Sequence, residues 1–167
     1  MKNNLIAELK IGKQIWMLKN LNIDRFRNGD LIMEAKSDEE WENADSKKLP
    51  AWCFFKNDSN TANLFGRIYN IHAVIDKRGL APNGWLIPGD EEWEELNNFI
   101  LGIEKKVKPL IFQPGAIRNS IWTEHDIETP RWWSTSESHV GWSFEGWGFE
   151  RENYSSGEGL SVQCLKL

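Results

Sequence analysis

Cysteine, histidine and proline are scarce in this chain of 167 residues, with two, three and six copies respectively. Cys53 and Cys164 stand far apart and fit no zinc or redox spacing, which excludes a zinc knuckle and a Cys-x-x-Cys centre. They can be two buried thiols or one long-range disulfide. His72, His125 and His139 leave little material for a nucleophile, a base and an orienting group, and His72 falls in an apolar run where a core role is expected. Basic charge is short too. A net charge of -5 and a pI near 5.3 argue against a partner with a phosphate backbone or an anionic membrane surface. No run approaches the roughly 20 apolar residues that cross a bilayer. Met1-Lys2-Asn3-Asn4 leads straight into patterned sequence without an apolar signal core, so composition alone points to a cytoplasmic chain or a mature fragment.

What the chain has is tryptophan, ten copies from Trp16 to Trp147. An indole offers a large apolar face and one N–H that wants a partner, so it suits a core and a binding surface equally. The length suits a single domain over 1–167, able to bury about 68 to 70% of the surface its unfolded chain exposes.

ELKIGKQIWML reads as two short strands around Gly12-Lys13, and Asn28-Gly29 signals a second hairpin or tight loop. Ser37 followed by Glu40 is a capping box that opens a short helix at about 38–45. AWCFF reads as a buried strand and KNDSNTAN as a polar loop. Residues 64–74 fit helical and extended spacing alike. The clearest helix is 90–101: Asp90 is read as its cap, Glu91 and Glu92 suit the dipole, Trp93, Leu96 and Ile100 share a face, and Gly102 ends it. Beyond it, glycines every eight to twelve residues punctuate RWWSTSE, HVGWSFE, GWGFERE and GLSVQCLKL in the manner of an antiparallel meander. Two helices and a strand-rich C-terminal half make an α+β domain.

Three segments are candidates for function. Trp122-Thr123-Glu124-His125-Asp126-Ile127-Glu128 gathers cation-ligand types, but its spacing matches no EF-hand or zinc motif; a solvated loop is expected, and no metal or cofactor. In Trp132-Trp133-Ser134-Thr135-Ser136-Glu137 a strand would turn the two indoles to opposite sides; either one enters the core while the hydroxyls and Glu137 tie down a turn, or the outward one joins a ligand platform. GWSFEGWGFERENY, residues 141–154, places Trp142 and Phe144 on one side of a strand. After Gly146, Trp147, Phe149 and Arg151 share one side of the next. Either these rows close the core and the acids are merely solvated, or Trp142, Trp147, Arg151 and Tyr154 form a recognition patch, with Glu145, Glu150 and Asn153 setting its polarity.

IGKQIWMLKNLN, AWCFF, GRIYN followed by HAV, RGLAPNGWLIPGDEEWEEL, WWSTSE and LSVQCLKL, in that order, resemble the Fibrobacter succinogenes major paralogous domain family. That family is similar to the C-type-lectin-like fold of the formylglycine-generating, sulfatase-modifying enzymes, whose helix start resembles Pro88-Gly89-Asp90-Glu91-Glu92-Trp93-Glu94. Leu86 and Gly89 stand where the pattern has His and Thr. The resemblance implies an extracytoplasmic or cell-surface bacterial domain with paired cysteines, here Cys53 and Cys164, and no enzyme activity. It also implies kinship with the variable proteins of diversity-generating retroelements, with residues 139–158 as the varied segment. The expected function is therefore non-enzymatic binding of a protein or glycan, against the alternatives of a sulfatase-modifying type of enzyme and a structural or adhesive surface domain.

Overall fold

A computed structural model of the chain describes residues 7–102, 113–119, 122, 129–137, 139–145 and 148–167. In chain order they form β1 (Glu8–Ile11), β2 (Gln14–Met17), β3 (Met33–Glu34), α1 (Asp38–Ser46), β4 (Ala51–Cys53), α2 (Ala62–Phe65), β5 (Ile68–Asn70), α3 (Ile71–Val74) and β6 (Trp85–Leu86). Then come α4 (Asp90–Leu101), β7 (Ile117–Arg118), β8 (Arg131–Trp133), β9 (Val140–Glu145), β10 (Gly148–Asn153), β11 (Gly159–Ser161) and β12 (Leu165–Lys166). The fold is α+β, with four α-helices among the described residues rather than two.

Local chemistry explains the boundaries. Gly12 takes the positive φ of 60° that lets β1 turn into β2. At α1, Ser37 Oγ accepts from Glu40 N at 3.2 Å while the Glu40 carboxylate reaches back to Lys36 N at 2.7 Å, so each end of the box satisfies an otherwise orphaned donor. Residues 64–74, which fit two periods, hold the end of α2, then β5, then α3, and Asn70 makes the switch from strand to helix. Its Oδ1 accepts from Ala73 N to start α3 and from Ala51 N to hold β4, and its Nδ2 donates to Leu49 O. The expected loop at 56–63 is instead wound into 3₁₀ turns at 55–57 and 59–61 and the start of α2, with Asp58 accepting from Asn60 N at 2.9 Å.

The strands make two sheets. One runs β1-β2-β12-β6; the other runs β10-β9-β8-β11-β5-β4-β3, with β7 joined to β11. The meander β8-β9-β10 is antiparallel as expected, but β11 meets β8 in parallel, Ser161 beside Trp132, and so carries the chain's end into the middle of the sheet. Both sides of β8 are covered. Trp132 (2% exposed) therefore packs into a cluster with Trp16, Trp93, Trp142 and Phe149, while Trp133 (0%) packs into another with Met17, Trp52, Tyr69 and Leu160. The two indoles do face opposite ways, and neither is displayed. At the sheet's outer edge, the Asn97 side chain of α4 bonds both polar groups of one β10 residue: Phe149 N donates to Oδ1 at 2.8 Å and Nδ2 donates to Phe149 O at 3.1 Å.

Of the two arrangements left open for the cysteines, the structure has the unpaired one. Cys53 and Cys164 are free thiols buried in separate core clusters, Cys53 beside Trp41, Phe55 and Ile68, Cys164 with Tyr69 and Trp133. Burial pushes both thiols up to about 12, so each is protonated at neutral pH. We expect neither to react with Ellman's reagent in the native protein and both to react in guanidinium. Fast native labelling would contradict the burial, and no thiol at all after denaturation would restore the disulfide.

Candidate functional site

The C-terminal hairpin β9–β10 pairs Phe149 with Phe144, Arg151 with Trp142, Glu150 with Ser143 and Glu152 with Gly141. Alternation sorts these into two sides. Phe144, Phe149, Trp142 and Arg151 face α4. Ser143, Glu145, Glu150 and Glu152 face away.

The α4 side is closed by aromatic contact. Trp142 is 4% exposed and Phe149 6%, both packed on Trp93 of α4; the Trp142 ring lies 6.4 Å from that of Trp93 at 18°, and the Phe149 ring 5.3 Å away. Phe144 is half-buried and meets Phe149 edge-on at 5.0 Å. Trp142 is thus a core residue and not a stacking platform, which corrects the recognition patch. Trp147 lies outside the described residues, as do positions 123–128 of the acidic loop. His72 is largely buried and bonded to Asp45 at 3.1 Å.

At the end of this aromatic row sits Asp90, the first residue of α4. Its Oδ1 accepts from Trp142 Nε1 and Ser134 Oγ, both at 2.9 Å, and its Oδ2 accepts from Arg151 Nε at 2.7 Å. Arg151 reaches on to Glu137 at 3.3 Å. Burial, the largest single influence, would raise the Asp90 pKa, but the bonds from Arg151, Trp142 and Ser134 and the attraction of Arg151 outweigh it and hold the carboxyl below the usual range. Asp90 is therefore not the helix cap it was expected to be. Gly89 occupies the cap position, where a side chain would meet Ser136 Oγ at 2.9 Å, and Ser136 itself accepts from Asp90 N. Glu92 accepts from Gly89 N at 2.8 Å. The hydroxyls of WWSTSE tie down a long-range junction: Ser134 to Asp90, Thr135 to Ile87 O at 3.1 Å, Ser136 to the helix start.

The opposite side carries a second carboxylate hub. Glu152 accepts from Ser143 Oγ and Tyr154 O–H, both at 2.6 Å, with Arg131 Nε at 3.6 Å. Burial pulls its pKa up, and the Ser143, Tyr154 and Arg131 contacts together bring it below the ordinary value. Tyr154 is half-buried, edge-on to Trp133 at 5.7 Å, and its phenol is pushed upward by burial and then by the Glu152 carboxylate. Next to this hub a Cβ on Gly141 would meet Trp132 O at 2.6 Å, Leu160 Cδ1 at 2.7 Å and the Tyr154 ring at 2.8 Å. Gly141→Ala should cost about 1–3 kcal/mol in a urea melt, since backbone and two packed side chains would have to shift. A neutral result would mean that β9 can lift off β8.

The residues left facing water are Glu145, Glu150, Arg151 and Asn153. Glu145 accepts weakly from Thr129 Oγ1 at 3.3 Å, while Glu150 and Asn153 make no side-chain hydrogen bond among the described residues. Sequence reasoning missed Asp90, Glu152, Ser143 and Arg131 as organising groups. A signal existed for the first, an acid at a helix start together with a hydroxyl-rich WWSTSE segment; register alone shows the second.

An α+β domain whose last hairpin is clamped to its longest helix through one carboxylate is the class of protein defined so far. The chain belongs to the Fibrobacter succinogenes major domain family, which it matches over residues 9–124. That stretch covers β1 to β7 and α1 to α4 and stops before the hairpin. No curated protein and no solved structure matches it. Among the described residues no helix is long and apolar enough to cross a membrane, and no group of three His, Cys, Asp or Glu side chains could hold a metal.

Proposed function

We propose that this chain is a non-enzymatic ligand-binding module of C-type-lectin-like fold, working outside the cytoplasm, which presents the exposed polar side chains of its last hairpin to a protein or glycan. The observation that carries this reading is the division of labour in β9–β10. Trp142, Phe149 and Arg151 are spent on Trp93 and Asp90, whereas Glu150 and Asn153 spend nothing on the fold. A rigid frame with free polar side chains is what a recognition surface requires. Recognition would be polar, through Glu145, Glu150, Asn153 and the outer part of Arg151, with no stacking on the buried Trp142 indole.

An enzyme of the sulfatase-modifying type is the weaker reading, because thiol chemistry needs an accessible thiolate and both thiols here are buried and held protonated. The retroelement reading gains from the same division, since a varied segment must change side chains without unfolding. Screening wild type and a Glu145→Ala/Glu150→Ala/Asn153→Ala variant on protein and glycan arrays tests the proposal. The variant should keep its stability within about 0.5 kcal/mol and lose the wild-type hits; hits that survive intact would move the binding surface elsewhere. For the varied-protein version, the neighbouring DNA must hold a reverse transcriptase and a near-copy of the region coding for 139–158.

A further inference from the structure

Away from the hairpin, the segment 22–27 and the turn 80–83 face each other across an open cleft of about 580 Å³, with Arg67 between them. A cleft of this size is typical for a small ligand. Its charge runs against that of the protein: Arg25, Arg27 and Arg67 line it with Asp24 as the one carboxylate, in a chain whose net charge is -5.

The arginines are held but not neutralised. Arg27 is fixed by backbone carbonyls alone, Nε and Nη2 donating to Ala81 O at 3.1 and 3.0 Å. Arg67 sits over Trp52, its Cζ 4.1 Å from the ring centroid and 5.4 Å from that of Phe54, and Nη1 donates to Asn22 Oδ1. Its Nε is buried without a hydrogen-bond partner among the described residues. Among the described residues neither Arg27 nor Arg67 has a carboxylate within ion-pair distance, and Arg25 reaches only Asp24, at 3.9 Å between half-exposed groups. The contrast is Arg78, close by on the ring of Phe26, which has both Asp76 at 2.8 Å and Asp30 at 3.2 Å. The fold supplies acids to that guanidinium and withholds them from Arg27 and Arg67.

A guanidinium held over an indole is preorganised and partly desolvated, and the N–H groups it leaves unengaged suit an oxyanion through charge-assisted hydrogen bonds. Around it, Asn22, Asn83 and Asp24 offer both donors and acceptors suited to hydroxyl groups, and Leu80, Ala81 and Pro82 offer an apolar wall for the C–H face of a ring. We propose that this cleft is a binding site for an acidic sugar, whose carboxylate or sulfate lies against Arg67 and Arg27 while its hydroxyls meet the amides. The site is distinct from the hairpin surface, so either can fail without the other.

Titration of the full chain with glucuronate, glucose 6-sulfate, glucose and inorganic sulfate, followed by ¹H–¹⁵N spectra and calorimetry, tests it. Either acidic sugar should bind at least roughly tenfold more tightly than glucose or inorganic sulfate, shift the amides of Ile23, Arg27, Ala81 and Asn83, and weaken as salt rises. The preferred acidic sugar names the oxyanion. Arg67→Gln should lose about tenfold or more in affinity, Arg67→Lys should recover part of it, and Arg25→Gln, at an exposed position, checks the charge dependence where the Arg67 variants do not fold. Equal binding of glucose or of inorganic sulfate, shifts confined to other amides, or no binding of any probe would each overturn the assignment.

Discussion

Replacing Trp93 by alanine should lower the unfolding free energy by about 3–5 kcal/mol, the largest loss expected from any single change in this domain. Trp93 is 0% exposed and stands at the centre of a ring of aromatics: Trp16 at 5.1 Å, Phe149 at 5.3 Å, Trp132 at 5.8 Å and Trp142 at 6.4 Å. Those partners come from β2, β8, β9 and β10, so the indole is where the long helix is bonded to both sheets by dispersion and lost water contact. Truncation leaves a cavity that stiff neighbouring rings cannot refill. Its planes lie at 29° to Trp132 and 18° to Trp142, near enough to stacking that the near-ultraviolet dichroism of the folded state should collapse in the variant even at temperatures where it remains folded. A guanidinium midpoint within experimental error of wild type would show that the helix is not held by this cluster.

Asp90→Ala should cost about 2–4 kcal/mol, because it strands the buried Trp142 N–H and leaves Arg151 with only the exposed Glu137. Asp90→Asn keeps the volume and an acceptor oxygen, and should cost about half as much. The pH dependence separates charge from shape. The folded pKa of Asp90 lies below its unfolded value near 3.9, so its contribution is complete above about pH 4–5 and disappears as pH falls through the lower folded value. Glu152 behaves in the same sense. Urea melts from pH 7 down to 2 should therefore bring wild type and Asp90→Asn together at the acid end. A constant gap would show that the carboxylate's charge does not matter.

The elements that sequence alone made legible are those whose chemistry is local. Ser37 with Glu40, Gly12 in its turn and Gly102 after the long helix each satisfy neighbours within a few residues, and the structure places α1, β1–β2 and α4 accordingly. The misreadings have one cause, partners distant in sequence. Asp90 looks like a cap until Ser136 supplies the capping oxygen and frees the carboxylate for Trp142 and Arg151. Residues 64–74 fit two periods because Asn70 divides them, and its partners, Ala51 at the start of β4 and Leu49 just before it, lie about twenty residues away. Alternation correctly sent Trp132 and Trp133 to opposite sides, but nothing in the local pattern tells that β8 is covered on both. In the hairpin, the same rule separated the two rows of side chains; which row was the inner one depended on where α4 lies.

The amide of Asn97 has a consequence for how the hairpin can change in length. By bonding the N–H and C=O of Phe149 at once, it recognises a single residue of β10, as a neighbouring strand would at one rung. Sliding β10 along β9 would pull that residue away and break both bonds, so the ladder is indexed from the helix and not from its turn. Residues added or removed between Glu145 and Gly148 should then be absorbed at the tip, leaving Trp142, Phe149 and Arg151 opposite their present partners. Loop length and strand register become independent variables, and a lineage or a designer could resize the tip without refolding the domain beneath it.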